Sequence, residues 1–326
     1  SSDVCSSDLY SVDRWKCLLT QSSKYSIQQN AGSVTPPAGF TNYVGVTSLS
    51  SYSVTSSDYF TLYQIIEGYN NADFNWGTSS AKTVTLSFWV YSSLTGTFGG
   101  SVISAGASNY SYPFTYSISS ANTWTYITIS VPACTVNAPN TNNSGGTQVV
   151  FNLGTGATYT GTAGSWQSGV LLSASGSNSI VGTSGATWYV TGVQLEVGSQ
   201  ATSFDYRDFG RELILCQRYF SSSFPIGTAP AQNLSGYIQS NAAQATVGAM
   251  YSAWIPFAVQ MRTTPTVTLY TPSVNNTNSG QWSWYSSSGG WQTVSSGGTT
   301  ASQLSAYGTE IVLQSAANLN ACYTIS

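Results

Sequence analysis

The chain contains no histidine, only two methionines, and Asp, Glu, Lys and Arg amount to 6% of its 326 residues. Without histidine, Ser–His–Asp and Cys–His nucleophilic catalysis are excluded, and so is the commonest metal ligand. Eight basic residues face eleven acidic ones, for a formal net charge of −3. There is no basic footprint for phosphates, so nucleic acid is not an expected partner. No apolar run approaches the roughly 20 residues of a membrane-spanning helix, so membrane insertion is not expected. No signal peptide is visible. No nucleophile-elbow, Walker or dinucleotide fingerprint is present; "GTGATYTG" at 154–161 has the wrong spacing and context. Cysteine is sparse: Cys5, Cys17, Cys134, Cys216 and Cys322 form no C-x-x-C pair. That excludes the usual zinc and thioredoxin-like sites and predicts buried thiols, with a sparse disulfide framework as the alternative.

What the chain has instead is glycine (31), tyrosine (22) and tryptophan (10), with aromatics at 13%. Such a composition disfavours long helices and suits strands joined by tight turns. The aromatics supply ample apolar area for a core, so the chain is not of the disordered class. The expectation is an all-β protein: a jelly-roll β-sandwich, a short helical connector and a second, smaller β-sandwich.

Residues 1–9, "SSDVCSSDL", read as the in-frame translation of a sequencing adapter, the alternative being a Ser-rich tail. They are set aside from fold reasoning. This reading implies that the native N-terminal region, with any attachment domain, is missing. Residues 10–203 read as one large β domain. In "TVTLSFWVYSS" (83–93), Val84, Leu86, Phe88 and Val90 share one face; Thr83, Thr85, Ser87 and Trp89 share the other. "TWTYITISVPA" (123–133) reads as a half-buried strand carrying Trp124, Tyr126, Ile127, Ile129 and Val131. "GTQVVFNLG" (146–154), "ATWYVTGVQLEVG" (186–198) and "SVDRWKCLL" (11–19) supply further strands, with turn signals at "PPAGF" and "TNNSGG".

Charge concentrates in one place, "FDYRDFGRELILCQRYF" at 204–220. Phe209, Leu213, Cys216 and Phe220 fall at helical spacing, with Leu215 and Tyr219 as a second pair. Residues 204–222 are therefore read as a helical connector. Asp205 or Asp208 caps its N-terminus, Asp208 and Arg211 form an i, i+3 pair, and Arg218 lies near its C-terminal end. Its apolar stripe requires a packing partner, either between domains or in a seam between subunits, with Asp208, Arg211, Glu212 and Arg218 as the charged seam residues. Residues 223–326 read as the C-terminal β-sandwich, with two strands broken at Pro265, a Gly-Gly hairpin at "QWSWYSSSGGWQTVSS" and two final strands in "ASQLSAYGTEIVLQSAANLNACYTIS".

Only carboxylate chemistry remains open for catalysis. Glu67 and Asp73 in "IIEGYNNADFNWG" are the closest pair of acids, and a glycosidase needs two carboxyls facing each other. The competing reading leaves Glu67 on backbone amides or an arginine and Asp73 in a turn. No catalytic residue and no metal ligand is assigned, and no cofactor is expected; acids with Asn and backbone carbonyls leave room for a structural calcium. The ring-bearing hairpin offers a ligand site instead. Trp282 and Trp284 share one strand face, Trp291 lies across the turn, and Tyr285 has the opposite parity. Exposed, such rings stack on sugars; buried, they fill the second core or a subunit seam.

The segments "YSVDRW", "IEGYNNADFNWGTSSAKTVTLSFWVYSSLTGTFGGS", "SYPFTYSISSANTWTYITISVP", "TGVQLEVGSQATSFDYRDFGRELILCQRYF" and "MRTTPTVTLYTP" resemble a family of tailed-bacteriophage tail-fibre and virion structural proteins with carbohydrate-binding-module-like jelly rolls. The resemblance covers nearly everything after residue 9 and implies a jelly roll, a helical connector and a small distal β domain, often in a homotrimer. It implies a virion protein, assembled in the bacterial cytoplasm among other virion proteins, that binds host-surface polysaccharide and is not an enzyme. Two alternatives stand beside it: a purely structural head fibre or decoration without a ligand, and a polysaccharide-degrading glycosidase or its binding module.

Overall fold

The computed structural model describes residues 14–225, 228 and 256–266 in full, and elsewhere only the backbone of short strands. The chain divides into two compact units, Ser1–Asp205 and Tyr206–Ser326.

The first unit is a jelly-roll sandwich of two antiparallel sheets. Its main strands are β1 (Trp15–Leu19), β2 (Tyr25–Gln29), β3 (Val44–Ser48), β4 (Tyr59–Glu67), β5 (Val84–Ser92), β6 (Gly96–Ala105), β7 (Asn109–Ile118), β8 (Thr125–Val131), β9 (Gly145–Thr155), β10 (Gln167–Ser168) and β11 (Thr187–Val197). The first sheet runs β2-β3-β11-β5-β8, with Asp3–Val4 paired on β2. The second runs β10-β7-β6-β9-β4-β1, with Tyr10–Val12 paired on β1. The chain changes sheet repeatedly, so strands distant in sequence become neighbours.

Alternation fixes the core. Val84, Leu86, Phe88 and Val90 all point inward and are fully buried, as their spacing predicts. Phe88 meets Tyr116 and Phe151 edge-on at 5.2 and 5.0 Å, and Phe151 lies against Trp188 at 5.1 Å. At the centre, Trp188 Nε1 donates to the Tyr116 hydroxyl at 2.9 Å. Burial pushes the Tyr116 phenol well above its ordinary pKa, although that bond opposes the shift.

One side chain departs from the buried-thiol expectation. Cys17 is fully buried but disulfide-bonded, its partner lying outside the described residues; Cys134 and Cys216 form no disulfide. β8 is the half-buried strand expected, alternating along Thr125–Val131, with Trp124 just before it. Ile127, Ile129 and Val131 pair opposite Phe88, Leu86 and Val84 on the inner face, whereas Tyr126 pairs opposite Trp89 on the outer face.

In the second unit, helix α1 (Phe209–Gln217) is shorter than the 204–222 segment assigned to it. Asp208 caps it, but its carboxylate accepts from the Arg211 backbone amide at 2.9 Å, so the expected charge pair acts as an N-cap. Glu212 pairs with Arg207 at 3.2 Å, and Arg218 donates to the Gln260 carbonyl at 3.2 Å. None of the helix's residues is buried, and Phe209 is 70% exposed. Asn318–Ile325 pairs with Ser221–Ser222, Ile238–Ser240, Val267–Tyr270 and Trp282–Ser286. Tyr251–Pro256, Gly308–Leu313 and Ala301–Leu304 form a three-stranded sheet. The segment expected to hold two final strands therefore holds three.

Candidate functional site

The outer face of the first sheet carries an aromatic ladder that sequence reading missed. Tyr189 on β11 is in register with Tyr91 on β5, and their rings stack at 5.2 Å with 6° between planes. Tyr43 also lies against Tyr189, at 5.1 Å with 30° between planes. Trp124 closes the group, 5.4 Å from both Tyr43 and Tyr91. One rung further along, Trp89 and Tyr126 stand directly opposite each other with ring centroids 5.1 Å apart and planes tilted by 46°. Strand geometry separates the two rungs by about 6.8 Å.

The two rungs differ in exposure. Tyr43 and Tyr189 are buried at 3% and 4% because the segment from Asn30 to Tyr43 folds over them. That segment is tied down from several sides. The Tyr43 amide donates to Asn30 Oδ1 at 2.9 Å, and Val34 N donates to the Tyr43 hydroxyl at 2.9 Å. The Tyr43 hydroxyl donates in turn to the Ala31 carbonyl, and Trp124 Nε1 donates to the Thr35 carbonyl at 2.9 Å. Tyr91, Trp124 and Trp89 remain half-buried, and Tyr126 on the edge strand is 43% exposed. The ladder rings thus shield one another's faces, and the Trp89–Tyr126 rung offers ring surface to solvent. Desolvation raises the phenol pKa values of Tyr43 and Tyr189, so both stay protonated at neutral pH.

Glycine makes room for this arrangement at two points. Gly45 is the cross-strand partner of Tyr189. A Cβ there would lie 2.5 Å from Ala31 Cβ and 3.1 Å from Tyr189 Cδ1. Gly192, at φ +60°, sits in the irregular stretch of β11 against the Phe40 ring, which meets Phe204 edge-on at 5.1 Å. The surroundings of the exposed rung carry hydroxyls: Thr128 and Ser130 on β8 are exposed and share the face of Tyr126.

The acids of the first unit serve structure where their contacts are known. Burial alone would raise the Asp58 pKa, but bonds from Thr55 N, Thr55 Oγ1, Thr20 Oγ1 and the Tyr52 hydroxyl outweigh it and bring it down to about 2. At Glu196 burial likewise opposes, and bonds from Thr202 and Gln194 prevail and lower the pKa. Glu67 is buried at the end of β4, while Asp73 is exposed on a short 3₁₀ turn, Ala72–Phe74. Among the described residues no three of His, Cys, Asp and Glu come together, so the calcium expectation finds no acidic cluster there.

Of the expected ligand residues, Trp282, Trp284 and Tyr285 lie in one strand and Trp291 in its hairpin partner. Backbone register pairs Tyr285 with Trp291 and Trp284 with Gln292. Their side chains lie outside the described residues. The seam residues Asp208, Arg211, Glu212 and Arg218 all belong to α1 or its caps and are bonded as described above.

No family model matches the chain, and no curated protein does. Solved structures are similar in fold. One is the enzymatically active domain of tailspike protein 4 of bacteriophage CBA120: 12% identity, TM-score 0.33, covering 56% of this chain and 19% of that one. The chain thus spans under a fifth of that tailspike's length. A second is a family 4 carbohydrate-binding module: 13% identity, TM-score 0.30, covering 57% of this chain and 88% of that one. A third is the family 11 carbohydrate-binding module from Clostridium thermocellum, in complex with a β-1,3-1,4-mixed-linked tetrasaccharide: 11% identity, TM-score 0.30, covering 62% and 98%. Likeness at this level describes a β-sandwich and says nothing about ligands.

Proposed function

We propose that the chain is a non-enzymatic virion fibre or spike protein whose first unit binds a host-surface glycan on the outer face of its first sheet. The carrying observation is the Trp89–Tyr126 rung, two large rings held side by side on a rigid sheet with one of them 43% exposed. A ring surface of that kind packs on the C–H face of a sugar, and neighbouring hydroxyls bond its polar groups. Glu67 and Asp73, one buried and one exposed on separate elements, give no support to a glycosidase. The virion setting and a homotrimer come from the sequence resemblance alone. The exposed apolar surface of α1 agrees with a subunit seam.

One observation favours a second reading, a structural virion protein without a ligand. Tyr43 and Tyr189 are buried, so part of the ladder already serves packing. A glycan array with wild type, Trp89→Ala and Tyr126→Ala separates the two. Glycan binding that falls at least about tenfold in both variants, as loss of a ring contact worth about 1.4 kcal/mol requires, supports the first. Binding to no glycan, or binding indifferent to both substitutions, refutes it.

A further inference from the structure

Past the Tyr91 rung, on the side away from Trp89, the outer row of β5 runs on to Ser93 at the turn into β6. There the surface falls into a pocket of about 410 Å³. Three separate turns wall it: Ser93 and Thr95 between β5 and β6, Ala121 between β7 and β8, and Asn178, Ser179 and Thr183 before β11. The walls are braced by the backbone. Asn122 N donates to the Ser92 carbonyl at 2.7 Å, Asn178 N to Thr97 O at 2.8 Å, and Thr187 N to Ser93 Oγ at 2.9 Å. Its volume lies at the small end of ligand pockets, roughly 300–1,000 Å³.

The lining carries no charge, and its bonding capacity is only partly used. Asn178 Nδ2 donates to the Thr95 carbonyl at 2.9 Å, and among the described residues nothing donates to its Oδ1. Ser93 Oγ and Ser179 Oγ each accept one backbone N–H, which leaves each hydroxyl hydrogen free to donate. Thr95 and Thr183, both exposed, have hydroxyls that bond nothing among the described residues. Hydroxyl donors facing one amide acceptor, with Leu94 and Ala121 as apolar wall, match a neutral polyol and offer nothing to neutralise a carboxylate, sulfate or phosphate.

We infer that this pocket takes the terminal unit of a neutral glycan chain, whose preceding units pass the half-buried Tyr91 and Trp124 to reach the Trp89–Tyr126 rung. The inference rests on the platform reading above and adds an end-specific subsite to it. The platform runs along the strands, whereas three turns rise around the pocket at the strand ends, so the chain runs in from Trp89 past Tyr91 and ends at Ser93.

The test uses the full chain and a panel of neutral polysaccharides (xylan, mixed-linkage β-glucan, galactan and dextran), each intact and after partial endo-hydrolysis at equal mass. Binding per unit mass is expected to rise in proportion to the number of chain ends. Thr183→Trp fills the pocket from an exposed position and is expected to lower binding about tenfold or more, while Ser184→Trp, one residue away and outside the lining, leaves it unchanged. Unfolding midpoints of both variants confirm that the fold is kept. Binding indifferent to hydrolysis, or unchanged in Thr183→Trp, overturns the pocket assignment. Trp89→Ala keeps the two readings apart: loss in Trp89→Ala with Thr183→Trp intact sinks the pocket alone, and the reverse pattern sinks the platform alone. Binding to no member of the panel sinks both.

Discussion

Replacing Gly45 by alanine asks whether the ladder is held by close approach. Alanine in a strand normally gains roughly 0.5–1 kcal/mol over glycine, because glycine loses more freedom on folding. At position 45 the new methyl would stand 2.5 Å from Ala31 Cβ and 3.1–3.2 Å from the edge of the Tyr189 ring. Neither neighbour can easily retreat. Ala31 is anchored through its carbonyl by the Tyr43 hydroxyl, and the Tyr189 ring is packed against both Tyr43 and Tyr91. Relief requires a shift of about 1 Å, and overpacking of that kind costs about 1–3 kcal/mol. The clash therefore outweighs the propensity gain, and a net loss of about 1–2 kcal/mol is expected. For a unit of this size that lowers the melting midpoint by about 2–8 °C. Differential scanning calorimetry on the full chain, following the first unit's transition, measures it. Gly182→Ala is the control, since its nearest contacts are at 3.4 Å and its φ is not in the left-handed region. Ala31→Gly in the Gly45→Ala background removes the nearest obstacle and is expected to restore most of the loss. A Gly45→Ala protein as stable as wild type, or a double variant no better than the single, would show that the segment over the ladder yields freely and that the rings are not positioned by it.

Further outcomes follow from named bonds. Tyr116→Phe leaves the Trp188 indole N–H buried without its acceptor, so denaturant unfolding should show a loss of about 1–3 kcal/mol. Asp58→Asn should destabilise the first unit at neutral pH and much less in acid. Its folded pKa of about 2 lies below the unfolded value of about 4, so its contribution is complete above pH ~4 and disappears as pH falls through about 2. Stability curves of wild type and variant that stay parallel from pH 7 to 2 would refute that assignment. Asp208→Ala should cost about 1 kcal/mol of local helix stability, read as faster amide exchange in α1, whereas Arg207→Ala should cost under about 1 kcal/mol because its ion pair is exposed.

Much of the sandwich was legible because a strand repeats every two residues. Val84 to Val90 show their inner face in the sequence itself, and that face is buried as read. The helix was legible from the spacing of Phe209, Leu213 and Cys216, and its cap from Asp208. Parity shows that 123–133 is a half-buried strand, and the alternating burial of Thr125–Val131 bears it out, but not which rings meet across strands: only register sets Tyr126 opposite Trp89. Cys17 could not be told from a buried thiol because a disulfide depends on which distant cysteine arrives beside it.

By itself, the sequence determined the class of this protein: all-β, nearly uncharged, without histidine chemistry, with short strands and one capped helix. Those are local or compositional properties, carried by residues a few positions apart. The tertiary structure alone decided where a ligand could rest. Tyr43, Trp89, Tyr91, Trp124, Tyr126 and Tyr189 come from four separate stretches, and the pocket beyond them from three turns up to 90 positions apart. Only strand order and register bring them onto one face, and register is set by the packing of the opposite, buried face.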